Sequence, residues 1–236
     1  MIHDPVKTII TNVHGTERVL KGAERKQTKV ILASTSEVYG KSAHETFSEK
    51  DDLLIGPPTH CRWSYACSKL IDEFFAMAYF RASHLPIIVA RFFNTVGPRQ
   101  TGRYGMVVPR FVKSALSSEN IRVYGDGQQS RCFCHVSDTV RALRLLADRE
   151  EALGKVFNIG NVREISILGL AELVTKRLKS SSKIEFIPYE EAYEPGFEDM
   201  RRRMPDIGEI RKVTGWQPET DLEEIIDSVA NYIKSH

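Results

Sequence analysis

The sequence predicts an α/β protein with a parallel β-sheet covered by helices on both faces. Two observations support this. Segments with apolar residues at helical spacing alternate with short, continuously apolar segments, and no repeat or low-complexity linker interrupts the alternation. A strand that is apolar on both faces has to be buried on both, which requires a helical layer on each side of the sheet. With 236 residues, the chain is long enough for one large domain or two small ones.

The first half of the chain alternates helix and strand. Residues 8–26 place Ile9, Val13, Thr16, Leu20 and Ala23 on one helical stripe, and the apolar segment that follows indicates a short buried strand. The segment PIIVARFF indicates a second buried strand. The elements predicted for this half are helix 8–26, strand 29–34, helix 65–81, strand 86–93 and helix 107–116.

After residue 118 the elements become shorter. Gly125-Asp126-Gly127 marks a turn between two strands, and Ser166 is a candidate helix N-cap. We therefore expect two units: residues 1–118, to which residues 135–165 return, and a smaller α/β lobe formed mainly by residues 119–236. The elements predicted here are strands 121–124, 132–136, 156–159 and 184–187, helices 138–148 and 167–178, an irregular stretch 188–204, and helices starting near Pro205 and Asp221.

Composition and charge exclude several classes of protein. Thirty-three basic and 31 acidic residues leave a net charge of +2, so no overall positive field indicates binding to nucleic acid. No apolar stretch approaches the roughly 20 residues of a membrane span, and no signal-peptide core is visible, which favours a cytoplasmic protein. The cysteine spacings match no common zinc or redox motif, so we expect free thiols and no metal site, with Cys132 and Cys134 packed within a strand.

Tyr65 and Lys69 are the first candidate catalytic pair. They lie four residues apart near the start of a helix, which places both side chains on one face. A phenol that acts as a base near neutral pH needs its pKa lowered by about 3 units, or about 4 kcal/mol. An ammonium about 5 Å away supplies roughly 3 kcal/mol at an effective dielectric of about 20, so a second positive group is required. The alternative is an ordinary pair on a helix surface.

Polar loops follow two of the predicted strands. STSEVYG at 34–40 follows the first strand, and RFFNTVGPR at 91–99 includes the end of the second. Ligands of open parallel sheets bind at the carboxyl ends of the strands. The side chains of Thr35, Ser36 and Glu37 are therefore candidates to hydrogen-bond a sugar hydroxyl, although most segments of this composition are simple polar turns.

Five motifs, in this order, resemble the extended short-chain dehydrogenase/reductase family. They are STSEVYG, YACSK, RFFNTVGPR, VYGDGQQSRCFCHVSD and GWQP, and together they cover essentially the whole chain. The resemblance implies a Rossmann-like doubly wound parallel sheet with a smaller substrate-binding lobe. It also implies NAD as cofactor and a nucleotide-sugar substrate oxidised at C4. Dimers through paired helices are typical of the family, and helices 8–26 and 65–81 would form that face here.

The resemblance implies catalytic roles for four residues. Tyr65 would take the proton of the sugar's 4-hydroxyl while hydride leaves C4 for the nicotinamide. Lys69 would hold the nicotinamide ribose and acidify Tyr65, so both residues would also contact the cofactor. Thr35 or Ser36 would hydrogen-bond the same sugar hydroxyl.

Further binding residues follow from the same resemblance. Asn94 and Arg131 would hold the sugar diphosphate, for which the forked donors of a guanidinium are suited. The alternative for Arg131 is a surface arginine in a turn. The remaining implied contacts are those of Ser34 and Phe92 with the cofactor and of Tyr124 with the substrate.

Two residues bear on the reaction that follows oxidation. Glu37 stands where simple 4-epimerases usually carry a small uncharged residue, which suggests chemistry beyond C4. GFEDMRRRMP at 196–205 resembles the part of UDP-glucuronate decarboxylases whose arginine before x-Pro reaches the substrate, which places Arg203 opposite a C6 carboxylate. Phe197 departs from the tyrosine of the bifunctional decarboxylases, and a general phosphate-binding patch is the alternative for the arginine run. We expect a UDP-glucuronate decarboxylase-like enzyme, with a UDP-hexose 4-epimerase as the alternative.

The glycine-rich turn of the family has no counterpart in this sequence. Family members begin with a strand, a GxxGxxG turn and a helix whose N-terminus binds the cofactor pyrophosphate. The GxxG at 102–105 has no preceding strand and no third glycine. The sequence thus predicts a chain that starts inside the family pattern, with strand 29–34 lacking its inner neighbour. A third alternative follows, a non-catalytic fragment that binds a nucleotide sugar.

Overall fold

The structure is a computed structural model that describes residues 4–102, 106–192 and 200–236. Short 3-10 turns lie at Ser36–Tyr39 and Glu150–Ala152. The helices are α1 (Pro5–Lys26), α2 (Arg62–Ser83), α3 (Val107–Leu116), α4 (Val136–Ala147), α5 (Ile167–Arg177), α6 (Tyr189–Ala192), α7 (Gly208–Thr214) and α8 (Leu222–Ser235). The strands are β1 (Val30–Thr35), β2 (Ile87–Phe92), β3 (Thr95–Val96), β4 (Ile121–Tyr124), β5 (Ser130–Cys132), β6 (Cys134–His135), β7 (Lys155–Ile159), β8 (Glu164–Ser166) and β9 (Ile184–Ile187).

The central sheet is parallel, in the order β1-β2-β7. Alternate residues of β2 face opposite layers, as the period of two along a strand requires. Ile87 and Val89 pack with Leu20 of α1 and Ala76 of α2, whereas Ile88 and Ala90 belong to a core on the other face. The core on that other face of the sheet also includes Leu146 of α4, Ile210 of α7 and Trp216. The predicted α/β fold, with a parallel sheet between two helical layers, is confirmed.

A second hydrophobic core lies beside the sheet. Helices α3, α5 and α8 pack together over β4, with Phe111, Val174 and Ile226 among the buried side chains. Helix α3 therefore packs with elements of the second half of the chain, although it lies before residue 118. Conversely, β7 lies in the second half of the chain but joins the sheet formed by the first half. The unit boundaries expected from the sequence stay a prediction.

The expected single strand at 132–136 is wrong. The structure divides it into β5, which pairs antiparallel with β8, and β6, which pairs parallel with β3, and α4 already begins at Val136. The physical reason is a change of core: Phe133 is buried in the second core, and Cys134 is buried in the core of the sheet. A strand that served both cores could not stay straight.

Several helix ends follow the expected capping chemistry. The Ser166 side chain accepts a hydrogen bond from the backbone N–H of Gly169 at the start of α5. Asp221 and Glu224 form a capping box at the start of α8, each side chain accepting from the other's backbone N–H. The irregular stretch expected at 188–204 contains the short helix α6, and residues 193–199 lie outside the described part of the chain.

The GWQP motif holds the C-terminal region against α4. The fully buried Trp216 donates from its indole N–H to the backbone oxygen of Asp138 at 3.0 Å. The Asp138 carboxylate in turn accepts from the backbone N–H groups of Glu219 (3.2 Å) and Thr220 (3.0 Å). This motif therefore serves the fold and not the site described below.

The four cysteines are free thiols. Burial raises the pKa of the Cys132 and Cys134 thiols to about 12, so neither is a thiolate at neutral pH. Among the described residues, none of the helices combines the length and the apolar character that crossing a membrane requires.

Candidate active site

The carboxyl ends of β1 and β2 lie side by side. Thr35 at the end of β1 is in register with Phe92 at the end of β2, and the chain after β1 turns at once into the 3-10 turn Ser36–Tyr39. The Thr35 hydroxyl accepts a hydrogen bond from the backbone N–H of Glu37 at 3.2 Å, which fixes the start of that turn. The two polar loops predicted from the sequence therefore share one edge of the sheet.

Tyr65, in the first turn of α2, reaches this edge. Its phenol shares a side-chain hydrogen bond with Thr35. The pKa of the phenol is nonetheless raised above its ordinary value. Burial is the largest cause, and the carboxylates of Glu37 and Asp72 act in the same direction, against the effect of Thr35. Tyr65 therefore keeps its proton at neutral pH in the unliganded chain.

Lys69 forms an ion pair within its own helix. Its ammonium lies 2.7 Å from a carboxylate oxygen of Asp72, three residues along α2. The side chain of Asp72 is completely buried, and its negative charge helps to raise the pKa of Tyr65. Asp72, which is not among the residues predicted from the sequence, thus pairs with Lys69 and opposes ionisation of the phenol.

Glu37 lies among three arginines. The Arg203 guanidinium donates to one of its carboxylate oxygens at 2.7 Å, and Arg62 lies 3.4 Å from the other. Burial of Glu37 disfavours its charged form, but the charges of Arg203 and Arg62 outweigh this and hold the pKa of the carboxyl below its ordinary value, with Arg131 adding to the effect. Three guanidinium groups therefore act on the single carboxylate of Glu37.

The arginine run divides among three different carboxylates. Arg201 pairs with Asp126 at 3.1 Å, and Arg202 pairs with Glu164 at 2.8 Å. Arg203 alone of the three contacts Glu37. These separate partners argue against the alternative in which the run forms a single phosphate-binding patch.

Backbone hydrogen bonds fix the segment that carries Arg203. Arg131 donates to the backbone oxygen of Met200 at 2.8 Å, and the N–H of Ser130 donates to that of Arg201 at 2.9 Å. Further along, the N–H of Phe47 donates to Met204 O at 2.8 Å. The segment is therefore bound on both sides of Arg203, which holds the guanidinium on Glu37.

A buried ion pair lies beneath the site. Glu73, two helical turns after Tyr65 on α2, receives two hydrogen bonds from Arg91 of β2, at 3.0 and 2.8 Å, and one from the Ser34 hydroxyl. The Arg91 guanidinium also lies 4.8 Å from the ring centre of Tyr39. Ser34, expected beside the cofactor, thus has its hydroxyl engaged by a buried carboxylate.

The remaining predicted residues lie at various depths. Ser36 is buried at the start of the 3-10 turn, and Phe92 is half-buried at the end of β2. Asn94 donates from its side-chain amide to the backbone oxygen of Cys132 at 3.1 Å. Tyr124 lines an open pocket of about 610 Å³, and its ring is covered by Arg110 at 4.6 Å. Gly196 to Asp199, including Phe197, lie outside the described residues.

Four charged residues of the site escape the sequence analysis: Arg62, Asp72, Glu73 and Arg91. A signal for two of them was present. Glu73 follows Tyr65 and Lys69 at helical spacing on the same face, and Arg91 stands inside an otherwise apolar strand. Within the described part of the chain, no group of three or more His, Cys, Asp or Glu side chains could hold a metal ion.

Comparison with known families gives one family match. The family model described as GDP-mannose 4,6 dehydratase matches residues 1–229. UDP-N-acetyl-alpha-D-glucosaminuronate decarboxylase of Bacillus cytotoxicus is 41% identical over 220 residues, which cover 93% of this chain and 68% of the relative. UDP-glucuronic acid decarboxylase 4 of Arabidopsis thaliana is 38% identical over 94% of this chain. The chain spans 48% of the length of that plant relative.

Solved structures show the same fold. UDP-glucose 4-epimerase of Thermotoga maritima, determined with UDP-glucose, superposes with a TM-score of 0.88 at 26% identity, covering 99% of this chain and 72% of that chain. UDP-glucuronic acid 4-epimerase of Bacillus cereus, in complex with UDP-glucuronic acid and NAD, superposes with a TM-score of 0.82 at 27% identity. It covers 96% of this chain and 68% of that chain.

Proposed function

This chain belongs to the GDP-mannose 4,6-dehydratase family of extended short-chain dehydrogenases/reductases, and on that premise we propose that it decarboxylates a UDP-linked uronic acid through a 4-keto sugar. The observation that carries the proposal is the Glu37–Arg203 ion pair beside the hydrogen-bonded Thr35 and Tyr65. It places a candidate carboxylate-binding guanidinium next to a candidate proton acceptor. Relatives named as decarboxylases of UDP-uronic acids support the same reaction.

We propose NAD as the cofactor. The Tyr65 phenol and the Lys69 ammonium, one helical turn apart on α2, are a donor set that fits the ribose end of a nicotinamide nucleotide. When bound, NAD supplies the acceptor for the hydride that leaves C4. A solved relative of the same fold contains this cofactor together with a UDP-uronic acid.

The oxidation requires a group that removes the proton of the 4-hydroxyl. We assign this role to Tyr65, because its oxygen is already hydrogen-bonded to the Thr35 hydroxyl, which can bind the same sugar oxygen. Ser36 is the buried first residue of the adjoining 3-10 turn. Lys69 holds the cofactor ribose and balances the charge of the phenolate that forms.

The 4-keto uronic acid is a β-keto acid. Its C5–C6 bond breaks, carbon dioxide leaves, and the electron pair moves into an enolate conjugated with the C4 carbonyl until a proton reaches C5. Arg203 would pair with the C6 carboxylate, and Glu37 would orient Arg203 through the 2.7 Å contact. A guanidinium in this position would favour a substrate with a C6 carboxylate over a neutral hexose.

The nucleotide part of the substrate would lie toward the second lobe. We propose that Arg131 and Asn94 bind the diphosphate, since both lie where β2 and β5 meet the site. Tyr124 would contact the nucleotide, because its ring lines the open pocket of about 610 Å³. Ser34 and Phe92 are proposed to support the cofactor from β1 and β2.

We also propose a homodimer formed by α1 and α2. These helices pack against each other and expose large apolar side chains, including Ile10 and Val19 of α1 and Phe74 of α2, which is 69% exposed. Free thiols on exposed Cys61 and Cys67 are typical of a reducing compartment, which supports a cytoplasmic location.

The test is product analysis with the purified chain. The chain would be incubated with NAD and, in separate reactions, UDP-glucuronate, UDP-N-acetylglucosaminuronate and UDP-glucose, with carbon dioxide and sugar products measured. We expect carbon dioxide and a UDP-pentose or its 4-keto form from a uronic acid, and none with Tyr65→Phe. Conversion of UDP-glucose to UDP-galactose without carbon dioxide would show the epimerase instead. Binding of UDP without any turnover would show a non-catalytic binding fragment.

A further inference from the structure

Asp72 is a buried carboxylate with an incomplete set of partners. Its side chain is completely buried in α2, and one oxygen accepts from the Lys69 ammonium at 2.7 Å. The other oxygen is buried and makes no hydrogen bond. A buried carboxylate is unfavourable unless it is paired and hydrogen-bonded, so a carboxylate at this position calls for an explanation beyond packing.

The neighbouring Glu73 holds α2 on the sheet, and Asp72 does not share this role. Both oxygens of Glu73 are engaged, by Arg91 and Ser34, and these contacts bind α2 to the sheet. Among the residues that the structure describes, Asp72 has one hydrogen-bonding partner, which is Lys69. Asp72 therefore acts through its ion pair with Lys69 and through its charge, and not on the docking of the helix.

We propose that Asp72 is a positioning residue for Lys69. It holds the Lys69 ammonium on the buried side of α2 and offsets its charge. Lys69 can then bind a ligand without removing the proton of Tyr65 beforehand. The inference rests on the proposed function, in which Tyr65 is the proton acceptor. It adds Asp72 as a residue that keeps Tyr65 protonated until a ligand binds.

The charged groups around Tyr65 support this role. Glu37 acts from the 3-10 turn after β1, Arg203 from the segment after residue 200, and Lys69 and Asp72 from α2 itself. The two carboxylates raise the pKa of the phenol and Arg203 lowers it, while burial is the largest cause of the raised pKa. Removing either carboxylate would leave the phenol facing uncompensated positive charge.

The experiment is a titration of tyrosine ionisation by absorbance near 295 nm, without substrate or cofactor. The wild-type chain and Asp72→Asn are each compared with the same protein carrying Tyr65→Phe, so that the difference isolates Tyr65 among the 8 tyrosines. We expect the pKa of Tyr65 to fall by about one unit in Asp72→Asn. The exposed Asp52→Asn is the matched control and should leave the pKa unchanged.

A second background tests whether Asp72 acts through Lys69. In Lys69→Met the phenol faces the Asp72 carboxylate without the ammonium, so the pKa of Tyr65 should rise, and Lys69→Met/Asp72→Asn should return it close to the wild-type value. No shift in Asp72→Asn, or an unchanged pKa in Lys69→Met, would overturn the proposal. Asp72→Ser provides a second neutral variant if Asp72→Asn does not fold. Because the titration needs no turnover, failure of the carbon dioxide assay and failure of this inference are separate results.

Discussion

Two carboxylate–arginine clusters lie within the same chain and differ in what surrounds them. In the Glu73–Arg91 cluster both side chains are about 5% exposed, and both carboxylate oxygens are engaged. In the Glu37–Arg203 cluster the carboxylate is 24% exposed, and the charges of Arg203, Arg62 and Arg131 all lower its pKa. The first cluster is closed and joins one carboxylate to one guanidinium, whereas the second is partly exposed and gathers three guanidinium groups near one carboxylate.

An ion pair alone does not mark a functional site. A closed, balanced pair can only hold α2 against β2, because no ligand reaches it and none is needed to neutralise it. An open cluster with three guanidinium groups can exchange one partner for an anionic ligand at small electrostatic cost. Variants of each cluster should therefore affect different measured quantities.

The largest expected effect is on folding, from Arg91→Met. Removing one partner leaves the Glu73 carboxylate buried and unpaired, so the free energy of unfolding should fall by about 3–5 kcal/mol. Urea unfolding followed by circular dichroism would measure it. The control is Arg177→Met, whose pair with Asp227 is about 40% exposed and should change stability by less than about 1 kcal/mol. Equal losses in the two variants would contradict the distinction between closed and open pairs.

The next effect is on binding, from Arg203→Met. Loss of charge-assisted hydrogen bonds worth about 1.5–3 kcal/mol should weaken binding of UDP-glucuronate roughly 10- to 100-fold, with little change for UDP-glucose. Isothermal titration calorimetry would compare the two ligands. Arg201→Met is the matched control, because that side chain is 80% exposed and pairs with Asp126 instead. An equal loss of binding affinity for both ligands would place Arg203 at the diphosphate and contradict its assignment to the C6 carboxylate.

The smallest effect is on the pH dependence of stability, from Glu37→Gln. The folded carboxyl has a pKa below its ordinary value of 4.5, so its contribution is fully present above about pH 4.5 and is lost as the pH falls through the folded pKa. We expect Glu37→Gln to lower stability by about 1 kcal/mol at pH 7, with the difference from wild type vanishing in acid. Urea unfolding at several pH values would check this against the exposed Glu119→Gln. A difference that stays constant down to acid pH would refute the depressed pKa.

Helix and strand positions were largely predictable from the sequence, because long apolar stripes leave few alternatives. The predicted ranges of α3, β4 and β9 agree with the structure residue for residue. The strand at 132–136 could not be predicted correctly, since nothing in its local pattern tells that Phe133 and Cys134 enter different cores. The two-residue strand β3 is likewise too short to produce a pattern.

The candidate site was predictable only in part. Motif order was enough to nominate Tyr65 and Thr35 as neighbours, and the hydrogen bond between them is present in the structure. The raised pKa of Tyr65 was not foreseen, because it depends on burial and on the carboxylate of Asp72. Spacing along a helix indicates which side chains share a face, but not with which of several neighbouring groups an ammonium will form an ion pair.

Local periodicity and the chemistry of each side chain are sufficient to predict the alternation of helix and strand, the parallel sheet and the groups at its carboxyl edge. The pairing of Arg203 with Glu37 while its two neighbours pair elsewhere, and the burial of the Lys69–Asp72 pair, follow instead from the packing of the folded chain. Electrostatic energy depends on distance and burial, and both are set only when segments far apart in the chain are packed together.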